Sequence, residues 1–195
     1  MIPRHLVLSV AVMLVVVIAM GIYIRHVRNE ARKVESADAD VQPVAPPAAG
    51  PTEAVTLYVA YDAAGQLRAQ AAQIPLPGGR QQRAEELLRA LLNIYRQPEA
   101  GHPLAAASDV RSVYLVDPGA AVIDINSAFA DEHRSGVMVE QLTVDSLVET
   151  LAVNVPGIQR VKILVDGKGR DTLAGHADLM DWFDVETVKQ AVGGQ

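Results

Sequence analysis

Residues 151–179, "LAVNVPGIQRVKILVDGKGRDTLAGHADL", decide the fold. Pro156-Gly157 stops whatever helix enters from the left, because proline cannot continue it and glycine accepts the left-handed cap. "RVKILVD" (160–166) follows, rich in β-branched and long apolar residues, and reads as a strand ending in an Asp-Gly turn. Backwards from the stop, Val144, Leu147, Val148, Leu151, Ala152 and Val155 fall at i, i+3, i+4, i+7, i+8 and i+11. That spacing makes one apolar stripe on a helix running from about Gly136 to Asn154. Ala84, Leu87, Leu88, Leu91, Leu92 and Tyr95 repeat the same spacing, so a first helix lies between Pro77-Gly78-Gly79 and Arg96.

Around these helices the chain reads as strands. "VTLYVA" (55–60) is a strand, and "LRAQAAQIPL" (67–76) a weaker one. "VRSVYLVD" (110–117) and "AAVIDIN" (120–126) flank Asp117-Pro118-Gly119, a hairpin turn in which proline presets φ and glycine takes φ > 0. "RDTLAG" (170–175) is expected to return as a short partner strand. "DLMDWFDVETVKQAV" (178–192) is expected to close in a helix capped by Asp184. The order β-β-α-β-β-α-β, with two singly striped helices, implies an α+β two-layer sandwich: both helices on one face of one mixed sheet.

Residues 6–24, "LVLSVAVMLVVVIAMGIYI", carry no charge over 19 positions. At about 1.5 Å per residue they reach roughly 30 Å, the hydrocarbon thickness of a bilayer. Residues 1–29 are therefore expected to be a transmembrane anchor. The small residues at Ala19-Met20-Gly21 keep a cleaved signal open as the alternative. Arg25, Arg28, Arg32 and Lys33 follow the span while Arg4 alone precedes it, which by the positive-inside rule would place the rest of the chain in the cytoplasm. Residues 30–53 are rich in proline, alanine and acidic groups and lack aromatics, so they read as an extended spacer ahead of a domain at 54–192. From Val34 onward, 12 Lys and Arg stand against 22 Asp and Glu, a formal charge of −10. Such a surface repels nucleic acid. With no cysteine, thiolate metal sites and a lipid-modified cysteine are both excluded.

Gly167-Lys168-Gly169-Arg170 looks like a phosphate loop, yet Lys162 stands where a Walker A motif has its first glycine, Gly169 where it has Ser or Thr, and the segment follows a helix where it should precede one. A turn is the better reading. His176, Asp178, Asp181 and Asp184 could offer oxygen and nitrogen ligands to a hard cation, but their number and spacing match no known site type. Trp182 and Phe183 read as a plug over the core, or as an interaction hot spot. Asp131, Glu132 and His133 could supply a general base, but no nucleophile is placed beside them. Ser127 and Ser135 read as caps. No catalytic set and no cofactor site emerge, and no enzyme is expected.

"VTLYVA", "VYLVDPGAAVIDINSAF" and residues 151–179, in that order, resemble the GerMN domain of bacterial sporulation and germination proteins, in a single copy behind an N-terminal anchor. The resemblance implies a fold similar to ring-building domains of secretion and sporulation assemblies, working outside the cytoplasmic membrane. It therefore favours an extracytoplasmic domain over the flanking-charge reading. The expected function is a membrane-anchored scaffold of the cell envelope that binds an envelope protein or its own copies through a surface near His176, Asp178, Asp181 and Trp182. The alternative is a ligand- or cation-binding sensor that uses the acidic C-terminal segment.

Overall fold

The computed structural model describes residues 50–116 and 118–193. The expected span at 6–24 and most of the spacer lie outside those residues. Among the described residues no helix is long and apolar enough to cross a membrane.

Strand β1 (Thr52–Tyr61) pairs antiparallel with β2 (Gln66–Pro75) from Thr52 opposite Pro75 to Tyr61 opposite Gln66. β1 begins two residues inside the stretch read as spacer, and the Leu76 N–H donates to Pro51 O at 2.9 Å to close the hairpin's open end. Helix α1 (Arg80–Tyr95) buries the six residues of its expected stripe, Ala84 through Tyr95, and nothing else. Strands β3 (Val110–Val116), β4 (Ala120–Ile125), β5 (Arg160–Val165) and β6 (Phe183–Asp184) form a second sheet in that order. Within it β3 and β4 are antiparallel, β4 and β5 parallel, and β5 and β6 antiparallel. The parallel pair is joined by a short helix α2 (Ser127–Asp131) and the long helix α3 (Val137–Asn154), as a parallel connection requires. Helix α4 (Val185–Gly193) closes the fold, and Asp184 Oδ1 accepts from Thr187 N at 3.0 Å, as expected of its cap.

The α+β class, the element order and the mixed sheet agree with the sequence reading. Three details differ. The strands divide into two sheets where one was expected. Residues 170–175 form no strand, and the partner of β5 is β6. The reason is chemical: the N–H groups that follow, at Ala174, His176 and Ala177, all donate to the carboxylate of Glu140 and cannot enter a ladder. Third, α3 is not a singly striped surface helix. Residues 142–151 are all buried, so it runs through the interior with its expected apolar stripe on one side and polar side chains on the other.

Those polar side chains face the edge of β1 that β2 leaves free. Asn154 accepts from Thr56 N at 3.2 Å and donates to Thr56 O at 2.6 Å. Thr150 Oγ1 accepts from Tyr58 N at 3.0 Å, and Ser146 Oγ donates to Tyr58 O at 2.6 Å. Tyr95 of α1 completes the row: its hydroxyl accepts from Ala60 N at 2.9 Å and donates to Ser146 Oγ. Ser146, Thr150 and Asn154 recur every four residues, one above another on the helix. They act as a side-chain strand beside β1, which is why β1 needs no second strand partner. A single hydrophobic cluster under this row joins Leu57 of β1, Leu91 of α1, Ile123 of β4, Leu147 of α3, Val161 of β5 and Val188 of α4.

Removing one member of the row should strand a buried backbone group, which costs about 1–3 kcal/mol. Ser146→Ala and Asn154→Ala should each lower the unfolding free energy by about that amount, measured from denaturant midpoints. Val153→Ala, on the exposed side of the same helix, should change it by less than about 0.5 kcal/mol.

Candidate functional site

The glycine-rich segment after β5 is a tight turn. Asp166 and Gly167 both take left-handed backbone angles, φ 49° and 73°, while Val165 and Lys168 exchange two backbone hydrogen bonds of 2.9 and 3.0 Å. Two successive positive-φ residues suit a two-residue hairpin turn, and glycine carries the second at no steric cost. Gly167 N, which a phosphate loop would aim at its ligand, donates instead to the Asp124 carboxylate at 2.7 Å. Arg111 braces the same turn through Asp166 at 2.7 Å. A second anion has no place there.

Beyond the turn the loop is organised by a residue one turn into α3. Glu140 is 0% exposed, and its two oxygens accept from the N–H groups of Gly136 (3.0 Å), Ala174 (3.0 Å), His176 (2.8 Å) and Ala177 (2.9 Å). His176 Nδ1 lies 2.9 Å from Oε1 and adds a fifth contact. Burial alone would raise the carboxyl's pKa, but the donors from Gly136, Ala177, His176 and Ala174 outweigh it and hold the group well below the usual carboxylate range. Lys162 of β5 seals the loop's far end by donating to Leu179 O at 2.7 Å and to Met180 O.

This arrangement places each residue singled out from the sequence. His176 is engaged by Glu140, with Ser135 Oγ 3.3 Å from the same ring nitrogen. Asp178 Oδ1 accepts from Met180 N at 2.7 Å, a local turn. Asp181 is exposed, and its carbonyl meets Lys162 Nζ at 3.4 Å. Trp182 is 43% exposed, and the Arg160 guanidinium lies 4.8 Å over its ring. Among the described residues, no three His, Asp or Glu side chains gather as a cation site. Asp131, Glu132 and His133 diverge: Asp131 pairs with Arg170 at 2.6 Å, Glu132 points to solvent, and His133 is buried. The cap of α2 is Asn126, whose side chain accepts from Phe129 N at 3.0 Å, rather than the neighbouring Ser127.

Exposed apolar side chains are spread over the fold, and Val137, Met138 and Trp182 are those that line depressions beside α3. Two adjoining depressions share Gln141 and Asp145. One lies against Gly65 of the β1–β2 turn and is lined by Val137 and Met138, which are 70% and 57% exposed. The other runs between α3 and α4 under Trp182. Among the described residues, no Lys or Arg lines either depression. Asp145 lies between them, nearly buried, and accepts from Gln141 Nε2 at 2.7 Å. Burial pushes its carboxyl up to about 6, and the negative charge of Glu149 adds to that rise. The result is an apolar groove with an under-solvated acid at its middle.

Glu140 and Asp145 were not singled out from the sequence. With Gly136 at the cap and Glu140 at the fourth helical position, the Ser/Thr-x-x-Glu pattern that signals a capping role is absent. Nothing in the linear order shows that the loop 34 residues later would fold onto Glu140.

A family model, Germane, described as sporulation and spore germination, matches residues 56–171. None of the curated proteins searched matches in sequence. Among solved structures, the tandem GerMN domains of the sporulation protein GerM from Bacillus subtilis share the fold at a TM-score of 0.50 and 22% identity. That match covers 67% of this chain and 45% of the other. The first GerMN domain of the same protein aligns at 0.46 and 20%, covering 66% and 94%. A candidate lipoprotein from Clostridium perfringens aligns at 0.49 and 20%, covering 75% and 96%.

The two carboxylates of α3 should respond to pH with opposite signs. A depressed pKa at Glu140 contributes stability above the unfolded value, and that contribution is lost as pH falls. Glu140→Gln should therefore cost about 3 kcal/mol at pH 7, with the gap to wild type narrowing in acid below about pH 4. A raised pKa at Asp145 does the reverse: its penalty is absent below about pH 4 and complete above about 6. Asp145→Asn should stabilise the protein at pH 7.5 and make no difference at pH 4. Denaturant titrations across that range read both.

Proposed function

Because the chain belongs to the Germane family of sporulation and spore germination domains, we propose that it is a non-catalytic interaction module of the bacterial cell envelope, anchored by residues 6–24 with its folded domain outside the cytoplasm. The groove along α3 supports this reading. It collects the exposed Val137, Met138 and Trp182 beside the Asp145 carboxylate, with no Lys or Arg among the described residues that line it. Ionised Asp145 is destabilised by burial, so a positive group brought to it gains more than it would at an open surface. The partner chemistry that fits is a protein segment presenting an apolar side chain next to a Lys or Arg. His176 and Asp178 contribute by shaping the loop that carries Asp181 and Trp182. The cation-sensor alternative gains no support, since His176, Asp178 and Asp184 already hold other groups.

A periplasm-only reporter fused after Gln195 should be active; activity of a cytoplasm-only reporter in its place would sink the proposed topology. A photo-crosslinker at Met138, in the full chain in native membranes, should give a discrete adduct that weakens several-fold in the Asp145→Asn background. The same probe at Arg89, exposed on α1, should give none. Equal yields at the two positions would count against the groove.

A further inference from the structure

Behind the groove lies a buried chain of polar groups with no part in the reading above. Asp62 Oδ1, in the β1–β2 turn, is 2.6 Å from His102 Nδ1, in the segment between α1 and β3. His102 Nε2 is 2.7 Å from Thr143 Oγ1 of α3. The same oxygen is 2.8 Å from His133 Nε2, and His133 Nδ1 is 2.8 Å from Arg134 O. His102, Thr143 and His133 are buried, so no substrate reaches the hydroxyl and the Asp–His–Thr sequence cannot act as a nucleophilic triad. Its meaning lies in the protons.

Both ends of the chain, a carboxylate and a carbonyl, can only accept. Four contacts of 2.6 to 2.8 Å therefore need four hydrogens. Two neutral imidazoles and one hydroxyl supply three. With three, a ring nitrogen and Thr143 Oγ1 must face each other lone pair to lone pair. The hydroxyl gives no relief by turning to Val139 O, 3.1 Å away, because both Nε2 atoms would then need protons of their own. We infer that this chain is a one-proton lock: it closes all four links only when it holds one proton beyond the neutral complement, and it opens a link at Thr143 when that proton leaves.

The surroundings say where the proton sits. Arg134 also pairs with Asp62, and with a guanidinium already beside that carboxylate we assign the extra proton to His102, between Asp62 and Thr143. Tyr95 lies edge-on to the His102 ring, with ring centroids 4.9 Å apart. Burial raises its hydroxyl to about 12, so it stays neutral. His133 stacks on Phe129, and the charge of Glu140 favours its protonated form while that of His102 opposes it. Burial works against any extra proton, lowering His102 to about 4 and lowering His133 as well. The hydrogen bond completed through Thr143 works for it, so the midpoint lies above the value that burial alone would set. Its contribution to stability is present below that midpoint and lost as pH rises through it. The lock ties the β1–β2 turn, which carries Gly65, to the start of α3, which carries Val137 and Met138. Its state therefore bears on one mouth of the groove.

The test is nitrogen NMR of the full-length chain in detergent, labelled at histidine, between about pH 4 and 8. His102→Gln and His133→Gln variants assign the two rings. Below the midpoint, three of the four ring nitrogens of His102 and His133 should carry protons, the bare one being His133 Nε2. The His102 midpoint should lie about one pH unit or more higher in wild type than in Thr143→Val, since a hydrogen bond to a charged group is worth that much. Thr143→Ser, which keeps the hydroxyl, should behave as wild type. Equal midpoints in wild type and Thr143→Val would overturn the lock. So would two neutral rings throughout the range in the wild-type chain alone, which needs no variant to fold.

Discussion

The structure depends on how the second edge of β1 is satisfied. A strand in the interior with only one strand partner leaves alternate N–H and C=O groups unpaired, and each would cost about 1–3 kcal/mol. Here the edge is met by side chains: Asn154 and Thr150 at Thr56 and Tyr58, Ser146 at Tyr58, and Tyr95 at Ala60. This arrangement holds α3 against β1 at close range and in one register, because three polar groups spaced four residues apart must meet backbone groups at their own spacing. It also closes the outer edge of β1 to the other four strands. A strand whose free edge is occupied by a helix has no edge left to join a sheet.

With α3 fixed there, its remaining faces are assigned. The apolar stripe through Val144, Leu147, Val148 and Leu151 enters the common core. The first turn offers Glu140 to the 174–177 backbone and so decides the shape of the loop after β5. Thr143 meets the two buried histidines, and Asp145 turns toward the groove beside α4. The two carboxylates show how environment alone sets their roles. Glu140 has a donor for each direction it can accept from, and it stays ionised in a fully buried place. Asp145 has one neutral amide donor and a like charge nearby, so its ionised form is disfavoured. The first builds structure; the second carries a penalty for ionising.

The stretch at 151–179 identified the fold because helix stop, strand and turn are local events. Pro156-Gly157 ends a helix, and Asp166-Gly167 takes the left-handed angles of a tight turn, whatever lies elsewhere. Likewise α1 buries the six residues its 3.6-residue periodicity selects, since one side of it faces the core and the other faces water. The periodicity of α3 gave its apolar stripe and left its polar side unassigned. Nothing local to Thr143, Ser146, Thr150 and Asn154 separates a solvated face from one turned to the backbone of a distant strand. His176 and Asp178 drew attention as candidate ligands by their chemistry; the fold uses both as internal hydrogen-bonding groups.

The sequence by itself determined the order of elements, the apolar faces and the turn at Asp166-Gly167, because each depends on residues within a few positions of one another. Only the tertiary structure decided the division into two sheets, the pairing of β5 with β6, and the burial of Glu140, His102 and Thr143. It also decided which acid faces the groove. Those outcomes depend on which unpaired polar group finds which partner far along the chain, as in the pairing of Val161 with Phe183 and the contact of Asn154 with Thr56, 98 residues apart. Hydrogen-bond satisfaction in a buried space is a property of the assembled fold, and no window of sequence contains both partners.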